Sequence, residues 1–128
     1  MKAEIIAEYI VRNYKGKVVE VGVGHNWRIA KILAEKGLDV VVTDIKPIKI
    51  RCNNIKFVID DIMNPKVEIY KKASLIYSIR PPPELYFYIL SIAKVVKADC
   101  LIRPFGNEFA NGKLINYKGE RFYLWINR

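Results

Sequence analysis

The residues with the most chemistry to offer stand where apolar runs stop. Glu20 closes one run, Asp44 the next, and Asp60-Asp61 a third; Arg80 and Arg103 close two more, each directly before proline. Carboxylates accept hydrogen bonds from hydroxyl and ammonium groups, and guanidiniums present a donor fork to phosphate or carboxylate. After Glu20 comes Val21-Gly22-Val23-Gly24-His25-Asn26-Trp27. Two glycines there allow backbone angles closed to other residues and let a ligand approach the main chain closely. Asn26 is placed to cap a helix that follows. A strand, a glycine turn and a helix start are together the nucleotide-binding opening of an α/β fold.

The details of this turn narrow the nucleotide. A dinucleotide fingerprint needs Gly or Ala three places after the second glycine; that place is Trp27, which would obstruct close helix–strand packing. Glu20 would repel a phosphate and attract an ammonium group. Glu20-Val21-Gly22-Val23-Gly24 therefore suits a cationic, phosphate-free nucleoside, and S-adenosylmethionine (SAM) has that chemistry. Asp44 follows Gly24 by twenty residues, the usual distance to the acidic residue that takes ribose hydroxyls. A strand cap without a ligand is the plainer account of any one carboxylate. Three successive acidic strand ends favour a ligand.

These residues need a framework, and the spacing predicts one. Ile5, Ile6, Tyr9, Ile10 and Val11 repeat as in a helix, before a strand over 17–21. A helix over 27–36 turns Ile29, Ala30, Leu33 and Ala34 inward and ends at Gly37. Strands follow over 39–43, 55–59, 74–79 and 98–103, with a short helix at 66–72 and a longer one over 84–97. The connection from Asp44 to strand three is barely long enough for a parallel crossover, so a helix there is short or absent. The segment 104–112 is also too short for a full helix, which leaves the sheet thinly covered and favours a homodimer or a protein partner. Lys113–Tyr117 and Arg121–Asn127 flank a Lys118-Gly119 turn as a hairpin whose last, almost continuously apolar strand should be buried. The sum is one α/β domain over 1–128, a doubly wound, mostly parallel sheet of about seven strands with a C-terminal antiparallel hairpin.

Composition bounds the classes. The chain has 128 residues, 52% hydrophobic and 27% charged, which is globular. No apolar run reaches membrane-spanning length and Met1-Lys2-Ala3-Glu4 does not open a signal peptide, so a soluble, cytoplasmic protein is expected. Two cysteines, Cys52 and Cys100, and one histidine, His25, exclude the usual four-ligand metal sites; Cys100 reads as core. The net charge of +9 favours an acidic partner, nucleic acid first, or else is a solvated basic surface. The absence of glutamine and the wealth of Ile and Lys fit a thermophilic source.

Taken together, the chain resembles the class I SAM-dependent methyltransferases, a Rossmann-like fold, over nearly its whole length. Glu20-Val21-Gly22-Val23-Gly24 matches their first motif, Asp44 the acidic residue after strand two, and Asp61-Ile62 the third-motif pair. Leu75-Ile76-Tyr77-Ser78-Ile79-Arg80-Pro81-Pro82-Pro83-Glu84-Leu85 further resembles an uncharacterised family of small archaeal proteins with this fold. The resemblance implies that Glu20, Gly22 and Gly24 surround the methionine portion of the cofactor. It gives the ribose to Asp44, the adenine to Asp61 and the Ile62 backbone, and a place near the methyl end to Ser78. Amino-methylating members often carry Asn or Asp before Pro-Pro-aromatic after strand four. Here Arg80 and Pro83 take those places, and an arginine cannot accept a hydrogen bond from an amine.

Arg80 and Arg103 have two readings. They grip a phosphate or carboxylate of the substrate (RNA or a phosphorylated small molecule), joined by Lys46, Lys49, Arg51 and Lys56 in a basic surface; or they pair with Asp60, Glu84 or Glu108 and hold loops. His25 and Glu108 are the nearest base candidates, though a local hydrogen-bonding or capping role suits His25 better and a solvated loop charge suits Glu108. One of Tyr86, Phe87 and Tyr88 would line the cleft while most of them pack inward. Three functions remain open: a SAM-binding methyltransferase, a non-catalytic methyltransferase-fold binding or partner module, and a nicotinamide-nucleotide-binding domain.

Overall fold

The computed structural model describes residues 1–48 and 52–128; Lys49 and Arg51 of the expected basic surface lie outside the described residues. The elements run α1 (Ala3–Asn13), β1 (Lys17–Val21), α2 (Arg28–Glu35), β2 (Asp39–Asp44), β3 (Ile55–Ile59), α3 (Val67–Tyr70), β4 (Leu75–Ile79), a 3-10 turn (Pro83–Leu85), α4 (Tyr86–Val96), β5 (Asp99–Arg103), β6 (Lys113–Tyr117) and β7 (Glu120–Trp125). They form a seven-stranded sheet in the order β3-β2-β1-β4-β5-β7-β6. β1 to β5 are parallel, and β7 runs antiparallel between β5 and β6.

Each strand feeds both faces because alternate side chains point to opposite sides. Val18, Val40, Val42, Leu75, Tyr77 and Leu101 pack under α1 and α2. Val19, Val41, Ile76, Cys100 and Ile102 pack under α4 on the other face. The buried stripe of α1 is Ala3, Ile6, Ala7 and Ile10, the spacing of one helix face. That helix also covers the hairpin: Tyr9 sits edge-on to Phe122 and Tyr117, and Lys118 pairs with Glu8 at 2.7 Å.

The thin places are the expected ones. No helix forms among the described residues between β2 and β3, or over 104–112. Ile59 and Phe105 are accordingly exposed. The last strand departs from expectation. Phe122 and Leu124 are buried, but Tyr123 and Trp125 are only half-buried and Ile126 is exposed. Tyr123 and Trp125 face the side that a helix over 104–112 would have covered. Only a loop covers it, and it does so closely. A Cβ on Gly112 would stand 2.5 Å from the Trp125 ring, while the Trp125 indole N–H donates to the Asn111 carbonyl at 3.0 Å. Of Tyr86, Phe87 and Tyr88, two pack inward as expected and Phe87 is the one that does not. It is 71% exposed, while Tyr86 is buried and Tyr88 packs against the α4 core.

The chain end is held by one buried carboxylate. Asp99 is fully buried at the start of β5. It accepts from the Tyr14 hydroxyl at 2.7 Å and the Asn127 backbone N–H at 3.0 Å, and it pairs with Arg128 at 3.3 Å. Burial, then the hydrogen bond to Asp99, push the Tyr14 phenol well above its ordinary range. Removing one partner from a buried charge exposes the rest of the desolvation penalty, about 1–3 kcal/mol. Tyr14→Phe is expected to lower stability by that amount, read as a lower urea midpoint at unchanged slope.

Candidate functional site

The strand order reverses between β1 and β4, and ligands in such sheets bind at that reversal, beyond the carboxyl ends of the strands. A cleft of about 200 Å³ lies there, lined by Met1, Glu20, Gly22, Val23, Asn26, Ile29, Ile79 and Arg80. That is smaller than the roughly 300–1,000 Å³ of a pocket for a drug-sized ligand, and suits an amino-acid tail.

The turn that forms its floor is hydrogen-bonded throughout. Gly22 and Gly24 both have positive φ, at 71° and 57°, which glycine adopts freely. The Gly22 and Val23 N–H groups both donate to the Thr43 carbonyl at 2.9 Å. The Gly24 N–H donates to Asp44 Oδ2 at 2.8 Å. From the other side, the buried Ser78 hydroxyl donates to the Val21 carbonyl at 2.8 Å. The amides of Gly22, Val23 and Gly24 are therefore committed within the protein and do not offer the N–H cradle a pyrophosphate uses. Trp27 adds to this. It is buried against Phe57, with its indole N–H donating to the Gly24 carbonyl at 2.9 Å.

Glu20 is the anomaly. It is 3% exposed, and its Oε1 is buried without a hydrogen-bond partner. Tyr77 is its register neighbour on β4, fully buried, its hydroxyl also without a well-formed hydrogen bond. Burial raises the Glu20 pKa from 4.5 to about 8, and the nearby Tyr77 hydroxyl offsets part of that rise. A carboxyl that must be neutral to tolerate its surroundings is one that a bound cation would stabilise in the charged form.

The other expected residues are arrayed along the same edge. Asp44 is half-exposed; beyond Gly24 it accepts from the Lys46 N–H at 3.0 Å. Each carboxylate oxygen keeps a lone pair for a ribose hydroxyl. The Asp60 N–H donates to the Asp44 carbonyl at 3.0 Å, which brings the third acidic end beside the second. Within the pair the roles divide. Asp60 is buried, accepting from Tyr70 and the Lys66 N–H. Asp61 is half-exposed, with only Oδ1 engaged, by the Met63 N–H. Ile62 is buried beside it.

The arginines separate. Arg80 lines the small cleft with Glu20. Arg103 lines a second one, of about 410 Å³, with Phe105, Glu108, Glu120, Arg121 and Tyr123. Of the two readings, pairing with Asp60, Glu84 or Glu108 does not occur, since neither arginine makes a salt bridge among the described residues. Arg103 Nη1 instead donates to the Pro104 and Phe105 carbonyls, and its Nε is buried without a partner. Glu108 is half-buried, its carboxylate closing a local turn on the Gly106 N–H at 2.8 Å. His25 is exposed; Asn26 Oδ1 accepts from the Arg28 N–H at 3.2 Å, but Asn26 stands one residue before the N-cap and not at it, and no side-chain capping bond forms there. Helix α2 itself starts one residue later than expected, with Trp27 at its N-cap position.

Lys56 does not join these groups. It is the second residue of β3, and its charge acts on Lys17 at the opening of β1, on the opposite edge. Arg12, Lys15, Lys97 and Arg128 also surround a cleft on that edge. Among the described residues the basic side chains therefore divide between the two edges, with Lys46, Arg80 and Arg103 beside the acidic strand ends. Tyr77 was the residue missed by sequence reasoning. Its signal was a phenol in the middle of an apolar strand, where a buried hydroxyl needs a partner.

The profile of the uncharacterised protein family UPF0146 matches residues 2–127. The chain belongs to the UPF0146 family. The UPF0146 protein of Pyrococcus horikoshii is 48% identical over 128 residues, covering 96% of this chain and 95% of the relative. That of Archaeoglobus fulgidus is 45% identical over 119 residues, covering 93% and 91%. Among solved structures, a TehB-like SAM-dependent methyltransferase from Corynebacterium glutamicum superposes with TM-score 0.67 at 17% identity, over 97% of this chain and 86% of that one. The antibiotic-resistance methyltransferase Kmr gives 0.66 at 11%, over 100% and 94%. Magnesium protoporphyrin IX methyltransferase from Synechocystis, with bound SAM, gives 0.60 at 14%, over 95% and 75%. This UPF0146 chain therefore has the Rossmann-like fold of class I methyltransferases.

The buried carboxyl predicts a pH signature. The unfolded chain loses the Glu20 proton near 4.5 and the folded chain near 8. Between those values the folded state holds more protons, so this contribution to stability falls as pH rises and levels off above about 8. Urea midpoints of wild type and Glu20→Gln should diverge across pH 5–8 in favour of the variant, and run parallel above.

Proposed function

We propose that this UPF0146 protein binds S-adenosylmethionine at the reversal between β1 and β4 and acts as a methyltransferase. The observation that carries the reading is the buried Glu20 carboxyl, whose Oε1 has no partner, in the lining of a small cleft. An α-ammonium is the complement of that atom. The committed amides of the 22–24 turn argue against a nicotinamide dinucleotide, whose pyrophosphate needs free donors. The superposed methyltransferases support the same choice by fold.

The residues present fit the group. Glu20 would hold the ammonium, and the Gly22–Gly24 turn leaves the backbone open to close approach. Asp44 would take the ribose hydroxyls with its remaining lone pairs. Asp61, with one oxygen unengaged, and the Ile62 backbone would meet the adenine. Ser78 acts by fixing the Val21 carbonyl and so the shape of the turn below the methyl end. Bound there, the cofactor supplies an electrophilic methyl group on a sulfonium. The chain's part is to position an acceptor in line with it, which is where much of the rate of such a displacement arises.

The acceptor's place is the second cleft, on the same carboxyl edge. Arg103, with its buried unpartnered Nε, and Arg121 suit an acceptor that carries phosphate or carboxylate, as RNA or a phosphorylated small molecule does. A second reading, a cofactor-binding module without turnover, is favoured by one observation: neither base candidate lines the cofactor cleft, His25 being in solvent and Glu108 in the second cleft with its carboxylate held by the Gly106 N–H.

Calorimetry separates the possibilities. Micromolar binding of SAM and S-adenosylhomocysteine, with none of NAD, and its loss in Asp44→Ala, is the expected result. At pH 6.5 an α-ammonium is almost fully protonated and Glu20 holds its own proton. Binding should therefore release close to one proton, seen as a dependence of the heat on buffer ionisation enthalpy, and Glu20→Gln should abolish the release. Transfer of labelled methyl to total RNA or to small phosphorylated metabolites then distinguishes a methyltransferase from a binding module.

A further inference from the structure

We infer that Arg80 is a cofactor residue: it binds the carboxylate of the ligand whose ammonium Glu20 takes, so the small cleft is specific for a zwitterionic amino-acid tail. The inference rests on the SAM reading above and deepens it.

Placement comes first. Glu20 is the last residue but one of β1, and Arg80 follows the end of β4, the neighbouring strand across the reversal. Both line the same cleft of about 200 Å³. No salt bridge joins them or ties Arg80 to any other described acid. A small cleft that holds one acidic and one basic group, not neutralised by each other, is complementary to a ligand with both charges. A purely cationic or neutral tail would leave the guanidinium unused. The other walls are Met1, Gly22, Val23, Asn26, Ile29 and Ile79.

The backbone gives a second, independent sign. Arg80 has φ 54°, a conformation in which non-glycine residues are strained, and such strain persists where the surroundings impose it. The surroundings do so here. The Arg80 N–H donates to the Arg103 carbonyl at 2.7 Å, and Pro81, Pro82 and Pro83 fix the chain that follows. The guanidinium stands over the Phe105 ring, 5.8 Å from its centroid, an exposed platform that leaves its N–H fork free. Glycine would fit this backbone without cost, so the backbone itself does not call for an arginine. Arg103, by contrast, turns two of its donor contacts onto its own loop in the other cleft. The two arginines therefore serve different ligands, Arg80 the cofactor and Arg103 the acceptor.

The test compares SAM with its decarboxylated form and with methylthioadenosine, which lacks the amino-acid tail, on wild type, Arg80→Gly and Arg80→Lys. Arg80→Gly relieves the positive φ, so its melting temperature should equal or exceed that of wild type, which keeps folding out of the comparison. The expected result is a loss of about 10- to 100-fold in SAM affinity for Arg80→Gly, the scale of a charge-assisted hydrogen bond. Arg80→Lys should fall between, and methylthioadenosine affinity should not change. Wild type should prefer SAM to decarboxylated SAM, and Arg80→Gly should lose that preference. Equal affinities of wild type and Arg80→Gly for SAM, or an equal loss for all three ligands, overturns the role of Arg80 and leaves the cofactor reading standing. Binding of none of the three by wild type overturns both.

Discussion

A carboxyl group buried at the middle of the sheet is the constraint that organises the rest. Glu20 stands on β1, the strand from which the order runs both ways, and it is enclosed by β2, β4 and the helices above. Taking a carboxylate out of water is expensive unless something compensates for it. Here the compensation is partial: the Tyr77 hydroxyl lies close, but Oε1 has no partner. A fold under no functional demand would gain by placing an apolar residue there. The turn above Glu20 is built with the opposite economy, since Thr43, Asp44 and Ser78 engage it on both flanks. The protein thus holds an unsatisfied acid in a rigid frame, and rigidity lets an unpaired group act on a ligand instead of relaxing away from it.

The frame is small, and the economy shows in what covers it. The crossover from β2 to β3 and the connection from β5 to β6 contain no helix among the described residues. Coverage of β7 falls to a loop, with Gly112 pressed against Trp125. Phe105 and Phe109, from that loop, remain exposed beside the second cleft. The same shortening that thins the sheet leaves the carboxyl edge open. The small cleft opens on the face of α1 and α2 and the second on the face of α4, and Arg80 reaches over Phe105 at the edge they share.

Much of this was legible in the chain. The helix and strand pattern, the acidic strand ends, the missing crossover helices and the hairpin all follow from apolar spacing, glycine and proline, because those signals are local. Asp44 could be placed by its distance from Gly24, and Trp27 could be seen to be wrong for a dinucleotide. What the chain could not reveal was which member of a similar pair does what. Asp60 and Asp61 are adjacent and identical, yet one is buried on Tyr70 and the other faces out. Arg80 and Arg103 both end a strand before proline, yet they line different clefts.

Local periodicity and turn chemistry by themselves determined a mostly parallel α/β sheet, its acidic edge and its phosphate-averse turn, because each depends on neighbours within a few residues. Tertiary structure alone decided that β7 lies inside β6: burying Phe122 and Leu124 beside β5 outweighs chain order. It also placed Tyr77 beside Glu20, sent Lys56 to the far edge, and put a strained Arg80 across a cleft from an unpaired acid. Those outcomes depend on strand order and register, which bring together residues far apart in the chain and have no local signature.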